Sequence, residues 1–253
     1  MKEAAYPDLE NASVFLSGGA TGIGSVLVER FARQGARVAF VDVAASEGDA
    51  LRRRLADEGH DVAFHRCDLT DLEAYRSAIE SAAANQGPVT VLINNAADDV
   101  RHPLEDLTPD RFDELVAVNL KHQLFAAQSV APMMIERGSG SIVNIGSFGW
   151  MIATGGYPVY AACKAAVHGM TRGLARDLGP HRIRVNTLVP GWVMTEKQKR
   201  LWVDDEAREL IARSQCLPDP LLPDHIASMA LFLASDAAAM CTAQNFIVDG
   251  GWA

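Results

Sequence analysis

The sequence predicts an α/β fold: a doubly wound parallel sheet of about seven strands with helices on both faces. Three observations predict it. Short β-branched or aromatic runs alternate with longer helical stretches along all 253 residues, the pattern of parallel strands joined by helical crossovers. Several strand candidates, such as 38–41 and 91–93, are continuous apolar runs, as strands covered on both faces should be. The first strand candidate also runs straight into a glycine-rich turn and then a helix.

In chain order, the strand candidates are 13–17, 37–42, 62–66, 89–93, 141–145, 184–189 and 245–248. Each is a short run bounded by polar or turn-forming residues. Helix candidates lie between them near 22–34, 46–58, 71–85, 109–137, 157–178, 197–213 and 223–234. Thr108-Pro109 marks one start well, as an N-cap followed by proline in the first turn. No linker, repeat or low-complexity segment divides the chain, so 1–253 is expected to form a single domain. The least regular stretch is 190–222, with Pro190, Pro218 and Pro220. A long irregular segment after a strand of such a sheet is a candidate lid over a ligand.

Composition narrows the function. Apolar residues make up 49% and charged residues 22%, ordinary for a globular domain. The 32 acidic residues outnumber the 23 basic ones, for a net charge of −9, which argues against nucleic acid as a partner. No apolar run is long enough to span a membrane. Met1 to Leu16 lacks a basic-then-apolar layout and a small-residue cleavage site, so a cytoplasmic protein is expected. The four cysteines (67, 163, 216 and 241) have neither C-x-x-C nor zinc-type spacing and read as reduced thiols. The seven histidines show no ligand spacing, so no metal is assigned.

The turn Ser17-Gly18-Gly19-Ala20-Thr21-Gly22-Ile23-Gly24 places glycines where a backbone must approach a pyrophosphate closely. The helix beyond supplies free N–H groups and a partial positive charge. The second strand ends in Asp42. A carboxylate there can accept hydrogen bonds from both adenosine ribose hydroxyls and repels a 2′-phosphate. Residues 19–21 and 43–45 offer no Arg or Lys to receive that phosphate, so the expected cofactor is NAD.

Tyr160 and Lys164 stand at an i, i+4 spacing in a helical stretch and therefore share one face. Alone, such a pair can be a surface feature. Here it follows Gly146-Ser147 at the end of a strand candidate. Asn94-Asn95-Ala96-Ala97 closes another strand, and Asn119 interrupts an apolar helical run.

Together these motifs resemble the short-chain dehydrogenase/reductase family over essentially 1–253: the Gly18/Gly22/Gly24 loop, Asp68, Asn94-Asn95-Ala96, Asn119, Ser147, Tyr160, Lys164 and Pro190-Gly191. Small departures are Ser17 for a threonine, Ala97 for a glycine, and Cys241-Thr242-Ala243-Gln244 at the C-terminal turn. The resemblance implies a Rossmann-type domain and a catalytic set of Asn119, Ser147, Tyr160 and Lys164. A free phenol, with a pKa of ~10, is too weakly acidic to act as a base near neutrality. The Lys164 ammonium and a positive nicotinamide ring both favour the phenolate, so Tyr160 can take the proton of a substrate hydroxyl. Ser147 would hold the same oxygen. Lys164 would also bind the nicotinamide ribose. Asn119 would bend its helix and support a water leading from Lys164 to solvent. Thr21 and Ile23 of the loop, Asp68, Leu69, Asn95, Val193 and Thr195 are carried over as further cofactor contacts.

Within the family, the chain is most similar to bacterial NAD-dependent aldose 1-dehydrogenases acting on galactose, arabinose or xylose. That likeness rests on 95–102, 189–198 and 214–218. A monosaccharide needs several hydrogen-bond partners and an apolar wall, which Asn95, Trp150, Trp192, Gln198 and Gln215 can supply beside Ser147 and Tyr160. Competing readings are a dehydrogenase of another polyol or keto-deoxy sugar acid, an oxoacyl reductase, or a silent NAD-binding regulator. The complete catalytic set argues against the last. The family likeness also implies a homotetramer. The small residues Ala161, Ala165, Gly169 and Gly173 form a low ridge suited to close helix packing.

Overall fold

The computed structural model describes residues 4–253. Residues 1–3, the start of the expected 1–253 domain, lie outside the described residues. Seven parallel strands form one sheet in the order β3-β2-β1-β4-β5-β6-β7. They are β1 Ser13–Ser17, β2 Arg37–Asp42, β3 Val62–Arg66, β4 Val91–Asn94, β5 Gly140–Ile145, β6 Ile183–Pro190 and β7 Asn245–Val248.

The side-chain alternation of β1 explains the layering. Val14 and Leu16 point into one core with Leu27, Val28 and Phe31 of α1 (Gly22–Arg33), Leu51 and Leu55 of α2 (Ala45–Asp57), and Ile226 and Leu231 of α9 (Pro223–Ala234). Phe15 points to the opposite face. It packs there with Tyr75 and Ile79 of α3 (Leu72–Gln86), Val130 and Met134 of α5 (His122–Arg137), and Leu178 of α6 (Pro158–Leu178). Each face thus buries its own continuous apolar layer, the arrangement that stabilises a two-sided sheet.

Two helix expectations are corrected. The stretch 109–137 is not one regular helix. It is α4 (Pro109–Val116), a π-helical turn at Ala117–Lys121, and α5. The stretch 197–213 is two helices, α7 (Glu196–Leu201) and α8 (Asp205–Ser214). The chain stops and restarts because Asp204 leaves helical geometry and accepts the Ala207 N–H at 2.8 Å as a new N-cap.

β1 pairs with both β2 and β4, so strand order reverses there. A crevice opens at that reversal, beyond the carboxyl ends of the strands. All four cysteines are free thiols. No helix among the described residues is long and apolar enough to cross a membrane.

Candidate active site

A cavity of roughly 580 Å³ runs along the carboxyl ends of the strands, from Asp42 at one end to Trp252 at the other. At the β1 end the backbone turns tightly. Gly18 has φ +69°, and a Cβ on Gly24 would lie 1.8 Å from the Gly18 carbonyl, so neither position tolerates a side chain. The first turn of α1 receives no side-chain cap from Thr21, and Gly18, Thr21, Ile23 and Gly24 line the cavity. Asn95 locks this loop to β4 by donating its side-chain amide to the carbonyls of Ser17 (3.2 Å) and Gly18 (2.8 Å). Ser17 Oγ accepts the N–H groups of Asn95 and Ala96 in turn.

Asp42 closes the same end. Its carboxylate accepts Ala20 N–H at 2.9 Å and Ala44 N–H at 3.0 Å. Asp68 and Leu69 line the cavity nearby. Thr70 donates both its N–H and its hydroxyl to Asp68, which holds that carboxyl below the usual range.

The centre of the cavity joins β5 to α6. Lys164 is only 1% exposed and donates its ammonium to the Ile145 carbonyl at 2.8 Å. Burial brings its pKa down to about 8. Its Nζ lies 5.7 Å from the centre of the Tyr160 ring. Burial raises the Tyr160 phenol, the Ser147 hydroxyl pulls it back, Asp99 and Tyr157 push it further up, and Arg101 lowers it. A buried polar ladder positions α6 beneath this group. Asn94 donates to Asn144 (2.8 Å), Asn144 donates to Thr171 (2.9 Å), and Thr187 donates to Thr171 (2.8 Å).

Asn119 is fully buried in the π-helical turn. Its amide accepts Asp98 N–H at 2.9 Å and donates to the carbonyls of Asp98 (3.1 Å) and Leu115 (3.0 Å). It lies behind the cavity wall, which Val118 forms. His102 fastens the next stretch of the same loop to α6 by accepting Val159 N–H at 3.3 Å.

The substrate-side expectations divide. Asn95, Ser147, Tyr160, Trp192 and Gln198 all line the cavity, as do Val193 and Thr195. Trp150 and Gln215 do not. After β5 the chain makes a turn, with Met151 N–H on the Phe148 carbonyl at 2.7 Å. Phe148 therefore faces the cavity, while Trp150 packs edge-on against His168 at 5.0 Å. Gln215 is 9% exposed and packs under Gly250 of the C-terminal turn. Gln198 has both ends of its amide engaged. It donates to Asp99 at 2.7 Å and accepts from Trp192 Nε1 at 3.0 Å.

Sequence reasoning missed Asp99, Arg101, Tyr157, Trp202 and Trp252, all of which line the cavity. The Arg101 guanidinium stacks 3.9 Å from the Tyr157 ring centre and 5.1 Å from that of Trp202. Its place within the 95–102 loop was the available signal.

The family model described as enoyl-(acyl carrier protein) reductase matches residues 18–253. A Rhizobium meliloti protein named probable galactose dehydrogenase GalD is 45% identical over 252 residues, covering 99% of this chain and 98% of that protein. A D-xylose 1-dehydrogenase of Caulobacter vibrioides is 44% identical over 252 residues, covering 100% of both. A crystal structure of gluconate 5-dehydrogenase from Burkholderia cenocepacia, in complex with NADP and tartrate, superposes with a TM-score of 0.90 at 31% identity, over 97% of each chain.

Proposed function

The chain belongs to the short-chain dehydrogenase/reductase family, and on that premise we propose that it oxidises the anomeric carbon of a free aldose to the lactone with NAD. It is an oxidoreductase acting on CH–OH donors with a nicotinamide cofactor. The observation that carries the proposal is the convergence of Ser147, Tyr160 and Lys164 in one cavity that begins at Asp42 and ends in aromatic rings.

The residues present fit a dinucleotide. Gly18 and Gly24 permit the tight turn, since a Cβ at either would strike Ala96 or the Gly18 carbonyl, and the uncapped first turn of α1 offers N–H groups to a pyrophosphate. Asp42, Asp68 and Leu69 would receive the adenosine end, and Asn95, Lys164, Val193 and Thr195 the nicotinamide end. Asp42 supports NAD over NADP, because a carboxylate at that strand end repels a 2′-phosphate. The bound nicotinamide supplies the acceptor for the hydride leaving the substrate carbon.

The chain's own groups handle the proton. Lys164, held by the Ile145 carbonyl, places a positive charge beside Tyr160 and favours its phenolate. Tyr160 takes the proton from the anomeric hydroxyl, while Ser147 donates a hydrogen bond that fixes the same oxygen. Asn119 supports the set from behind by holding the Asp98 backbone. Segment 190–222, which carries α7 and α8, covers the substrate. A Cβ added at Gly169 or Gly173 of α6 would meet nothing within 4 Å, so this low ridge suits the interface of a homotetramer. The free cysteines suit a cytoplasmic setting.

The test is a panel of pentoses and hexoses with NAD, read by NADH absorbance, run on the wild type and on Tyr160→Phe. The expected result is reduction with at least one aldose and a loss of roughly 10²–10⁴-fold in the variant. No reduction with any pentose or hexose overturns the substrate class, and an active Tyr160→Phe overturns the proton acceptor.

A further inference from the structure

β5, β6 and β7 are neighbours in the sheet, and the chain beyond each of them places one aromatic ring in the cavity wall: Phe148, Trp192 and Trp252. Trp252 joins the other two. Its ring meets Phe148 edge-on at 5.3 Å and lies 6.4 Å from Trp192 at 38°. Phe148 follows Ser147 directly in the chain, so the row starts beside the reacting centre, away from the Asp42 end. Trp252 is also firmly held. The Asp249 carboxylate accepts the N–H groups of Gly251 (2.8 Å), Trp252 (3.1 Å) and Ala253 (2.7 Å). Gly191 N–H donates to the Val248 carbonyl at 2.9 Å, which lays this turn against the end of β6.

We infer that Trp252 is the specificity-determining ring of the substrate site, stacking on the C–H face of a cyclic substrate. An indole face carries a negative quadrupole, and the C–H bonds of one face of a pyranose or furanose are slightly positive. An open-chain polyol or sugar acid presents no such face. Gln198 has one N–H committed to Asp99 and one lone pair to Trp192. Trp252 therefore selects a ring over a chain, with the flanking rings fixing its orientation.

This inference rests on the aldose reading, and the experiment separates the two. Wild type, Trp252→Leu and Trp252→Phe are compared with the best aldose of the panel. In parallel, calorimetry measures binding of a 1,5-anhydroalditol (the same ring without the anomeric hydroxyl) and of the matching open-chain alditol to each protein loaded with NADH. Trp252→Leu keeps apolar bulk without a ring. Its KM for the aldose should rise, and its anhydroalditol affinity fall, by roughly tenfold or more. Its kcat, cofactor affinity and melting temperature should stay near wild type. Trp252→Phe should recover part of the loss, and the wild-type preference for the anhydroalditol over the alditol should vanish in Trp252→Leu. A wild type silent on every aldose sinks the aldose reading. A working wild type with unchanged KM and ring preference in Trp252→Leu overturns the inference, as does an equal loss of cofactor affinity.

Discussion

Asp99 Oδ2 accepts a 2.7 Å hydrogen bond from Gln198 Nε2, although 99 positions separate the two residues in the chain. The other Asp99 oxygen is paired with Lys197. One carboxylate on the loop after β4 thus fastens the first turn of α7 across the cavity, and Gln198 extends the tie to Trp192. Asp99 has a second effect, because its negative charge raises the pKa of Tyr160.

Neutralising that charge separates the two effects. In Asp99→Asn the amide keeps the size of the side chain but removes the charge opposing phenolate formation, so the Tyr160 pKa should fall. The acid limb of the kcat/KM–pH profile for oxidation should therefore move toward lower pH. The weakened tie to α7 should raise KM for the cofactor and for the sugar. A limb that stays in place, or moves up, refutes the electrostatic role whatever happens to KM.

The proposed role of Asp42 in choosing NAD is the next to test. Alanine there removes the carboxylate that repels a 2′-phosphate and the two acceptors now serving Ala20 and Ala44. NAD affinity should drop by roughly tenfold or more, since a site built to hydrogen-bond a hydroxyl suffers when the pairing is lost. Turnover with NADP should become measurable. Parallel steady-state kinetics with both cofactors checks this, and an unchanged NAD/NADP ratio rules it out.

The sheet was legible because its signals are local. Continuous apolar runs such as Val38–Val41 and the glycines after β1 report on a few residues at a time. Tyr160 and Lys164 were legible for the same reason, since one helical turn brings them to a common face. The aromatic row was not, because Phe148, Trp192 and Trp252 meet only when β5, β6 and β7 lie side by side. Trp150 was misplaced on a finer scale. The turn after β5 decides which of two neighbouring aromatics enters the cavity, and hydrogen bonds to the Phe148 carbonyl set that choice. Composition carries no trace of it.

The π-helical turn at Ala117–Lys121 yields a stability prediction. Asn119 is the partner of both the N–H and the carbonyl of Asp98. Asn119→Ala leaves those groups with no side-chain partner in a partly buried setting, at a cost of about 1 kcal/mol. Denaturant titration should register that loss in midpoint. Activity should fall as well, because the 95–102 loop that lines the cavity loses its anchor. A variant as stable as the wild type would show that Asn119 is not what fixes the loop.

His122 contributes to the pH dependence of stability. It is fully buried, with its ring 6.2 Å from that of Tyr75. Burial, and then the charge of Lys164, lower its pKa to about 3. In the unfolded chain the imidazole titrates at about 6.5. Between these values the unfolded state binds a proton that the native state refuses, so stability falls as pH drops from about 6.5 toward 3 and is fully present above 6.5. From pH 7 to pH 5 this one group should remove about 2 kcal/mol. Urea unfolding at both pH values checks it, with His122→Leu as the comparison. The variant should lose less stability than the wild type over that interval by about the same amount, because leucine has no proton to gain on unfolding. Equal losses in the two proteins would place the acid sensitivity on other groups.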